Sequence, residues 1–253
     1  MNAVGKHRII VVDNAEEAAS RAVRIIVRVA GESVARNGRF VAAISGGSTP
    51  TRMQRMLVAP PCVDLVPWEK THLFWTDERC VPPSHPESNF GGAWRDFLRD
   101  APIPERNIHP MPGEVPPEEA AVRCQWELMG FFQLRRWEYP PFDLICLGMG
   151  KDGHTASLFP GHEALREVRR LVMPVRGGIP DLHRLTMTLP VLNQGRTVLF
   201  LVTGKEKAEG VKAALDGVGP LVPAAMVQPV SGNLVCLLDR EAASLLGKEE
   251  SPR

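Results

Sequence analysis

Short apolar runs alternate with amphipathic stretches along most of the chain. The runs cover residues 9–12, 40–44, 72–75, 142–147, 197–202 and 234–238. Each run has the length of a strand and lacks strict alternation, which is typical of a parallel sheet covered on both sides. Helical periodicity lies between the runs. The pattern therefore predicts an α/β fold, doubly wound, with a mostly parallel sheet and helices on both faces.

The first predicted helix has a clear signal at each end. Asn14 can cap its amino terminus, and Glu17 stands at the third position of a capping box. Apolar residues at helical spacing follow, and Gly38 is expected to end the helix. In a parallel sheet the strand-to-helix loops gather at one edge, which is where ligands bind in such folds.

The length and the net charge of the chain limit its domain organisation and the kinds of partner it can bind. The 253 residues fit a single α/β domain, with a core of about residues 9–246 and a polar tail at 248–253. Proline-rich segments at 60–67 and 110–117 are expected to be surface connections. The net charge is +1 and no lysine or arginine tract occurs, so the sequence indicates no basic surface for a nucleic acid or an anionic membrane. A bound anion should therefore be small and locally recognised.

The cysteines and the amino terminus indicate the compartment. None of the five cysteines forms a C-x-x-C pair, and Cys146 and Cys236 lie in apolar runs, so buried thiols in a reducing compartment are expected. Residues 1–8 lack the apolar core of a signal peptide, and no apolar run approaches the roughly 18 residues of a membrane span. We expect a cytoplasmic protein, either a monomer or a small homo-oligomer.

The turn after the run at 142–147 is the most informative segment. Gly148, Gly150 and Gly153 satisfy G-x-G-x-x-G and so imitate a dinucleotide fingerprint. Such a site also needs a continuous helix and an acidic residue about 20 positions further on. Neither follows here, because Pro-Gly at 160–161 interrupts the helix early, and the next apolar run, at 171–175, ends in Arg176 and two glycines. We interpret the glycines as a tight bend that presents polar side chains to a small anion.

His154, at the end of this bend, is the candidate base. Histidine titrates near neutrality and can take a proton from water, and Asp152 is placed to orient it. A metal site is disfavoured, because there is no H-E-x-x-H and His162 lies eight residues away across a proline. No G-x-S-x-G elbow indicates a serine nucleophile. We predict Asp152 and His154 as catalytic residues that activate water without a metal.

A second glycine turn follows the run at 40–44. Its candidate anion contacts are Ser45, Gly46, Gly47, Ser48 and Thr49. Thr49 suits a helix cap and Pro50 the first helical position, so backbone amides and hydroxyls would face a phosphate. The chain has no G-x-x-x-x-G-K-[ST], which excludes a nucleoside-triphosphate loop. The alternative is an ordinary tight strand-to-helix turn.

Three charged residues follow the run at 72–75. Arg79 can clamp a phosphate or carboxylate bidentately, with Asp77 or Glu78 holding the arginine in place. Ser88 and Asn89 are expected to open the next helix. The alternative is a solvated cluster of salt bridges.

Two further cations occur late in the chain. Arg184 lies in a threonine-rich segment, and Lys207 is expected in the first turn of the helix after the run at 197–202. A lysine near a helix amino terminus suits a phosphate. The alternative for Lys207 is a side chain that faces solvent.

With these residues in view, the chain resembles the 6-phosphogluconolactonases, which hydrolyse 6-phosphoglucono-1,5-lactone in the oxidative pentose phosphate pathway. The resemblance covers about residues 9–246 and rests on segments 45–50, 77–89, 148–160, 184–188 and 203–208. It implies the fold of glucosamine-6-phosphate deaminases and ribose-5-phosphate isomerases, with no metal and no organic cofactor.

The resemblance also implies roles for individual residues. It makes His154 the general base and places Arg79, Arg184, Lys207 and the loop at 45–49 around a phosphorylated sugar. Asp77, Asn89 and Gly150 are predicted as further substrate contacts. The implied partner is a small phosphosugar lactone.

Two other functions stay open at this point. Deaminases have Asp-Glu-Tyr where this chain has Asp-Glu-Arg at 77–79, and Gly-His-Ile-Ala-Phe-Asn-Glu-Pro at the positions of 153–160, so their glutamate is absent here. A phosphosugar sensor without turnover is the other alternative. The presence of both Asp152 and His154 argues against a sensor, because a pure binding protein needs no base.

Overall fold

A computed structural model describes residues 7–217 and 221–247, and the predicted tail at 248–253 lies outside the described residues. The strands are β1 (His7–Val12), β2 (Phe40–Ile44), β3 (Thr71–Trp75), β4 (Asp77–Arg79), β5 (Ile108–His109), β6 (Leu144–Leu147), β7 (Val172–Gly177), β8 (Leu182–Met187), β9 (Thr197–Val202) and β10 (Asn233–Asp239). The helices are α1 (Ala15–Asn37), α2 (Ser48–Val58), α3 (Asn89–Ala93), α4 (Pro117–Phe132), α5 (Leu189–Leu192) and α6 (Ala208–Leu215). Strand and helix alternate over most of this order, as the apolar pattern predicts.

A seven-stranded sheet forms the centre of the fold, in the order β1-β10-β9-β6-β2-β3-β5. Every pairing in it is parallel. Strands β2, β6 and β9 are buried along their whole length, whereas Ile9 and Val11 of the edge strand β1 are half exposed. The predicted parallel sheet is confirmed. Its parallel strands bring the ends of β2, β3, β6 and β9 to one edge.

A second sheet of three strands, β4-β8-β7, is antiparallel and was not predicted. Strand β4 consists only of charged residues, so it lacks the apolar pattern of a strand, and β7 is apolar at its start but contains Pro174, which is unusual within a strand. Backbone pairing to β8 holds both strands in place. This small sheet carries β4 and β8 to the edge where the parallel strands end.

The predicted starts of α1 and α2 have different outcomes. At α1 the Asn14 side chain accepts from the backbone N–H of Glu17 at 2.9 Å, and Gly38 ends the helix at φ 74°, so this prediction is confirmed. At α2 the prediction was wrong, because the helix begins at Ser48 and not at Pro50. Gly47, at φ 108°, takes the cap position, since glycine allows the chain to turn into the helix one residue before Ser48.

All five cysteines are free thiols. Cys124, Cys146 and Cys236 are buried, whereas Cys62 and Cys80 are only partly buried. Burial in apolar surroundings raises the pKa of the Cys146 thiol to about 12, so this sulfur stays protonated and packs as a small apolar group. The prediction of buried thiols is therefore confirmed for three of the five.

Candidate active site

A cleft of about 270 Å³ opens at the edge where the parallel strands end. Predicted residues that line it are Ser45, Gly46, Gly47, Thr49, Asp77, Arg79, Asn89, Gly150, His154, Arg184 and Lys207. Asp152 does not line the cleft but contacts His154, and the side chain of Ser48 lies outside the described part of the structure. Six separate segments of the chain thus meet at one place.

His154 and Asp152 form a hydrogen-bonded pair. The distance from His154 Nδ1 to Asp152 Oδ1 is 2.5 Å. A carboxylate only accepts, so Nδ1 carries the proton and Nε2 keeps a free lone pair. Partial burial would raise the pKa of Asp152, but the charge and hydrogen bonds of His154 outweigh burial and hold it below its usual value. Asp152 therefore stays ionised, orients the imidazole and stabilises its protonated form.

The three glycines in the turn after β6 are required for different structural reasons, or for none. Gly153 has a φ of 75°, a conformation that suits glycine. Gly150 leaves room for the base, since a Cβ built there would lie 2.1 Å from Nδ1 of His154. Its N–H donates to the carbonyl of His154 at 2.8 Å, so this amide already has a partner. Gly148 meets neither constraint, because a Cβ there would touch nothing within 4 Å.

Alanine at Gly150 should lower kcat by about 10²-fold, because the new methyl group displaces His154 from its position beside Asp152. Gly130→Ala is the control, because Gly130 lies in α4, does not line the cleft, and a Cβ there would touch nothing within 4 Å. It should keep wild-type kcat. Steady-state kinetics on both variants, with circular dichroism to verify folding, checks this prediction. Equal activity of the two variants would contradict it.

Arg79 and Arg184 lie opposite each other in the pairing of β4 with β8. Arg184 is buried, and its Nε donates to the Gly177 carbonyl at 2.8 Å. Arg79 donates through Nη1 to Asn89 Oδ1 at 2.6 Å, whereas its buried Nε is without a hydrogen-bond partner in the part of the chain that the structure describes. Burial, and then the charge of Arg79, lowers the pKa of Arg184. Two close cations with an unused donor favour a bound anion between them.

Asn89 joins three parts of the cleft. Its Oδ1 accepts from Arg79, and its Nδ2 donates to the Asp77 carbonyl at 2.8 Å. A Cβ at Gly46 would lie 1.9 Å from Asn89 Oδ1, so only glycine allows the β2 turn to approach this closely. The glycine at 46 therefore brings the predicted phosphate loop against Asn89, the residue that also accepts from the Arg79 guanidinium.

The prediction that Asp77 or Glu78 holds the Arg79 side chain in place was wrong. Asp77 accepts from Ser157 Oγ at 2.7 Å, and Glu78 accepts from the backbone N–H of Arg79, so neither carboxylate holds the guanidinium. Both carboxylates are buried, which excludes the alternative of a solvated salt-bridge cluster. The guanidinium is held by Asn89 and by the carbonyl of Glu87.

Glu78 instead anchors the start of α3. Its carboxylate accepts from the backbone N–H groups of Asn89 and Phe90 at 2.7 and 2.8 Å and from Ser88 Oγ at 3.1 Å. Ser88 caps α3 by accepting from the Gly91 N–H, which confirms the predicted helix start. Sequence reasoning assigned Glu78 no such role, since a pattern of residues does not show which backbone groups a carboxylate reaches.

The buried Glu78 predicts a pH dependence of stability. Burial, only partly offset by the backbone hydrogen bonds, raises its pKa from 4.5 to about 7 in the folded state. The folded protein then binds a proton that the unfolded chain has lost, so stability decreases as the pH rises from 4.5 to 7. The loss should be about 3 kcal/mol from this group.

The matched variant is Glu78→Gln. It should be less stable than the parent at pH 5, because its amide nitrogen replaces an acceptor, but its stability should change less between pH 5 and 7. Urea unfolding at several pH values measures both effects. A parent and a variant with the same pH slope would contradict the assignment.

The remaining predicted contacts differ in what they offer a ligand. The Ser45 hydroxyl already bonds Thr76 Oγ1 at 2.7 Å and the Cys146 carbonyl at 3.1 Å, so it supports the turn. Thr49 Oγ1 lies 3.4 Å from Thr203 Oγ1. Lys207 lines the cleft from the turn before α6, and within the described residues no carboxylate forms an ion pair with it. Its ammonium group is thus available to an anion.

Several lining residues were missed by the sequence analysis. They include Phe159, Gly178 and Ile179, of which the last two form the tip of the β7–β8 hairpin. The ring centroid of Phe159 lies 5.0 Å from that of His154. Only the unpredicted second sheet brings this hairpin to the cleft, so no local signal marked it.

Within residues 7–217 and 221–247, no group of three or more histidine, cysteine, aspartate or glutamate side chains could hold a metal ion. None of the helices in these ranges is long and apolar enough to cross a membrane.

Comparisons with known proteins agree with the geometry. The family model of glucosamine-6-phosphate isomerases/6-phosphogluconolactonase matches residues 13–236. A 6-phosphogluconolactonase of Synechocystis is 42% identical over 85% of this chain and 88% of its own. The human 6-phosphogluconolactonase is 43% identical over 82% of this chain and 81% of its own.

Solved structures show the same fold. A 6-phosphogluconolactonase from Trypanosoma cruzi superposes with a TM-score of 0.86 at 29% identity, over 97% of this chain and 98% of its own. A monomeric glucosamine-6-phosphate deaminase has a TM-score of 0.79 at 21% identity, over 94% of this chain and 99% of its own, which shows likeness of fold alone. On the match over residues 13–236 and these identities, the chain belongs to the family of glucosamine-6-phosphate isomerases and 6-phosphogluconolactonases.

Proposed function

We propose that this protein hydrolyses 6-phosphoglucono-1,5-lactone to 6-phosphogluconate, the second step of the oxidative pentose phosphate pathway. One observation carries the proposal: a carboxylate-oriented histidine and a pair of opposed arginines line the same cleft. The histidine is suited to activate water, and the arginines are suited to a phosphate. Two relatives that align over 85% and 82% of this chain, at 42% and 43% identity, bear the name of this activity.

Substrate binding begins at the phosphate. Arg79, Arg184 and Lys207 neutralise its charge, and the β2 turn at 45–49 supplies polar contacts, with Asp77 and Asn89 at the sides. Holding the phosphate at one end of the cleft places the lactone carbonyl near His154. Binding energy from the remote phosphate is thereby converted into orientation at the reacting carbon.

Hydrolysis then proceeds by general-base catalysis. Nε2 of His154 removes a proton from water as the water oxygen attacks the lactone carbonyl carbon. The tetrahedral intermediate collapses with cleavage of the bond to the ring oxygen, which takes the proton back from Nε2 of His154 and becomes a hydroxyl group of the product, so that the base is regenerated. Asp152 stabilises the imidazolium that forms in between.

Lactone hydrolysis adds water and transfers no electrons, so the proposed chemistry needs no cofactor and no protein or nucleic-acid partner. We propose that the chain acts as a single domain in the cytoplasm, as a monomer or a small homo-oligomer. Light scattering on the purified protein measures the oligomeric state.

The deaminase alternative is disfavoured by a specific contact. Phe159 occupies the position of the glutamate in the deaminase motif, and its ring packs against His154. An apolar ring cannot exchange protons with an amino sugar. The residue that stands beside the base therefore fits hydrolysis of a lactone better than deamination.

The direct test follows acid release from freshly prepared 6-phosphoglucono-1,5-lactone with and without the protein. Acceleration over the spontaneous rate is expected. In a parallel reaction, glucosamine 6-phosphate should yield no ammonia. Binding of 6-phosphogluconate without any acceleration would replace the proposal by the sensor function, and ammonia release would replace it by deamination.

A further inference from the structure

Ile179 lies at the tip of the β7–β8 hairpin, at the mouth of the cleft. It lines the cleft, yet it is 89% exposed, the largest value for any large apolar side chain among the described residues. A lone exposed isoleucine on a protein surface needs no explanation. An exposed isoleucine at the mouth of a polar cleft is different, because a bound ligand would remove it from water.

The hairpin tip is attached to the anion site. Arg184 donates from Nε to the Gly177 carbonyl at 2.8 Å. Gly178 packs directly on the guanidinium group, since a Cβ there would lie 2.5 Å from Arg184 Nη2. The φ angle of Gly178 is 88°, so the backbone follows a path that other residues rarely take. A phosphate on Arg184 would thus lie beside the residue that precedes Ile179.

Phe159 connects this tip to the base. Its ring centroid lies 5.0 Å from the ring centroid of His154 and 5.8 Å from Cζ of Arg184. A Cβ at Gly177 would touch the same ring at 3.0 Å. The space between phosphate and base is therefore bounded by an aromatic ring that belongs to the same packed unit as the hairpin.

We propose that Ile179 is a specificity-determining residue, which together with Phe159 contacts the carbon chain of the substrate between its phosphate and its carbonyl group. The inference rests on the proposed function. The C–H groups of a sugar lactone are the part of the substrate that neither arginines nor His154 can recognise. Contact with them lets the cleft distinguish a phosphosugar from free phosphate.

The test compares Ile179→Ala and Ile179→Val with Val230→Ala, a truncation of another exposed side chain (71%) away from the cleft. Steady-state kinetics on the phosphorylated lactone are measured beside inhibition by inorganic phosphate. For Ile179→Ala we expect about a tenfold increase in KM, kcat within about threefold of the parent, and an unchanged inhibition constant for phosphate. Ile179→Val should lie between the parent and Ile179→Ala, and Val230→Ala should match the parent.

Each other result has a definite meaning. An active parent with an unchanged KM in Ile179→Ala overturns the inference and leaves the proposed function intact. A phosphate inhibition constant that weakens as much as KM assigns Ile179 to support of Arg184 and also overturns the inference. A parent without lactonase activity overturns the proposed function and this inference together. Thermal unfolding verifies that each variant is folded.

Discussion

Replacing His154 with glutamine should lower kcat on the phosphorylated lactone by about 10² to 10⁴-fold, the usual contribution of a positioned general base. Glutamine keeps polarity and approximate size but cannot accept a proton from water. KM should change little, because the arginines and the lysine that we propose for the phosphate lie on other segments of the chain. The measurement is initial-rate acid release at saturating lactone, with the spontaneous rate subtracted.

His162→Gln is the matched control. His162 lies in the same stretch of chain, where its Nδ1 accepts from the Ala164 N–H at 3.1 Å, and it does not line the cleft. This variant should keep wild-type kcat. If His154→Gln retained more than about a third of the parent's kcat, the general base would have to be sought elsewhere in the cleft.

Replacing Arg79 with alanine should raise KM for the phosphorylated lactone by about 10²-fold, since it removes charge-assisted hydrogen bonds to the phosphate. The expected change in kcat is smaller than tenfold. Non-phosphorylated glucono-1,5-lactone should be hydrolysed almost as well as by the parent, so the preference for the phosphorylated substrate decreases. Both substrates are assayed over the same range of concentration.

Arg176→Ala tests whether loss of any nearby cation has the same effect. Arg176 belongs to β7, its side chain is 64% exposed, and it pairs with Asp181 at 3.1 Å. Its removal should leave KM unchanged, because exposed ion pairs contribute little and it does not line the cleft. Equal KM values for Arg79→Ala and the parent would remove Arg79 from the phosphate site.

The parallel sheet and the first helix could be predicted from sequence because their signals are local. Burial of β2, β6 and β9 leaves continuous apolar runs, and the cap at Asn14 needs only residues within one helical turn. The start of α2 was misplaced because Gly47 adopts φ 108°, a backbone choice that the hydroxyl-rich sequence around it does not reveal. Local chemistry therefore predicts elements well and their ends less well.

In the candidate site, too, the residue types could be predicted from sequence, whereas the contacts between distant segments could not. The residue types at His154, Asp152, Arg79, Arg184 and Lys207 are sufficient to predict a base and an anion site from sequence. In the structure four of them line one cleft, and Asp152 contacts His154 from outside it. Their exact roles stay predictions until the variants are measured. Contacts between distant segments, such as Gly46 against Asn89, have no sequence signal, since neither residue's own neighbours determine that approach.

The sequence alone determined the parallel α/β fold, the first helix, and the kinds of chemical group available at the strand ends, because burial, caps and residue types act locally. Only the tertiary structure decided that Arg79 lies opposite Arg184, that Glu78 holds α3, and that the β7–β8 hairpin borders the cleft. Glu78 reaches α3 over only 10 to 12 residues, but no pattern in the sequence shows which backbone groups its carboxylate meets. The first and the last of these features depend on pairing between β4 and β8, which lie about a hundred residues apart in the chain. Contacts over such a separation arise from the packing of the whole chain and leave no periodic pattern in either segment.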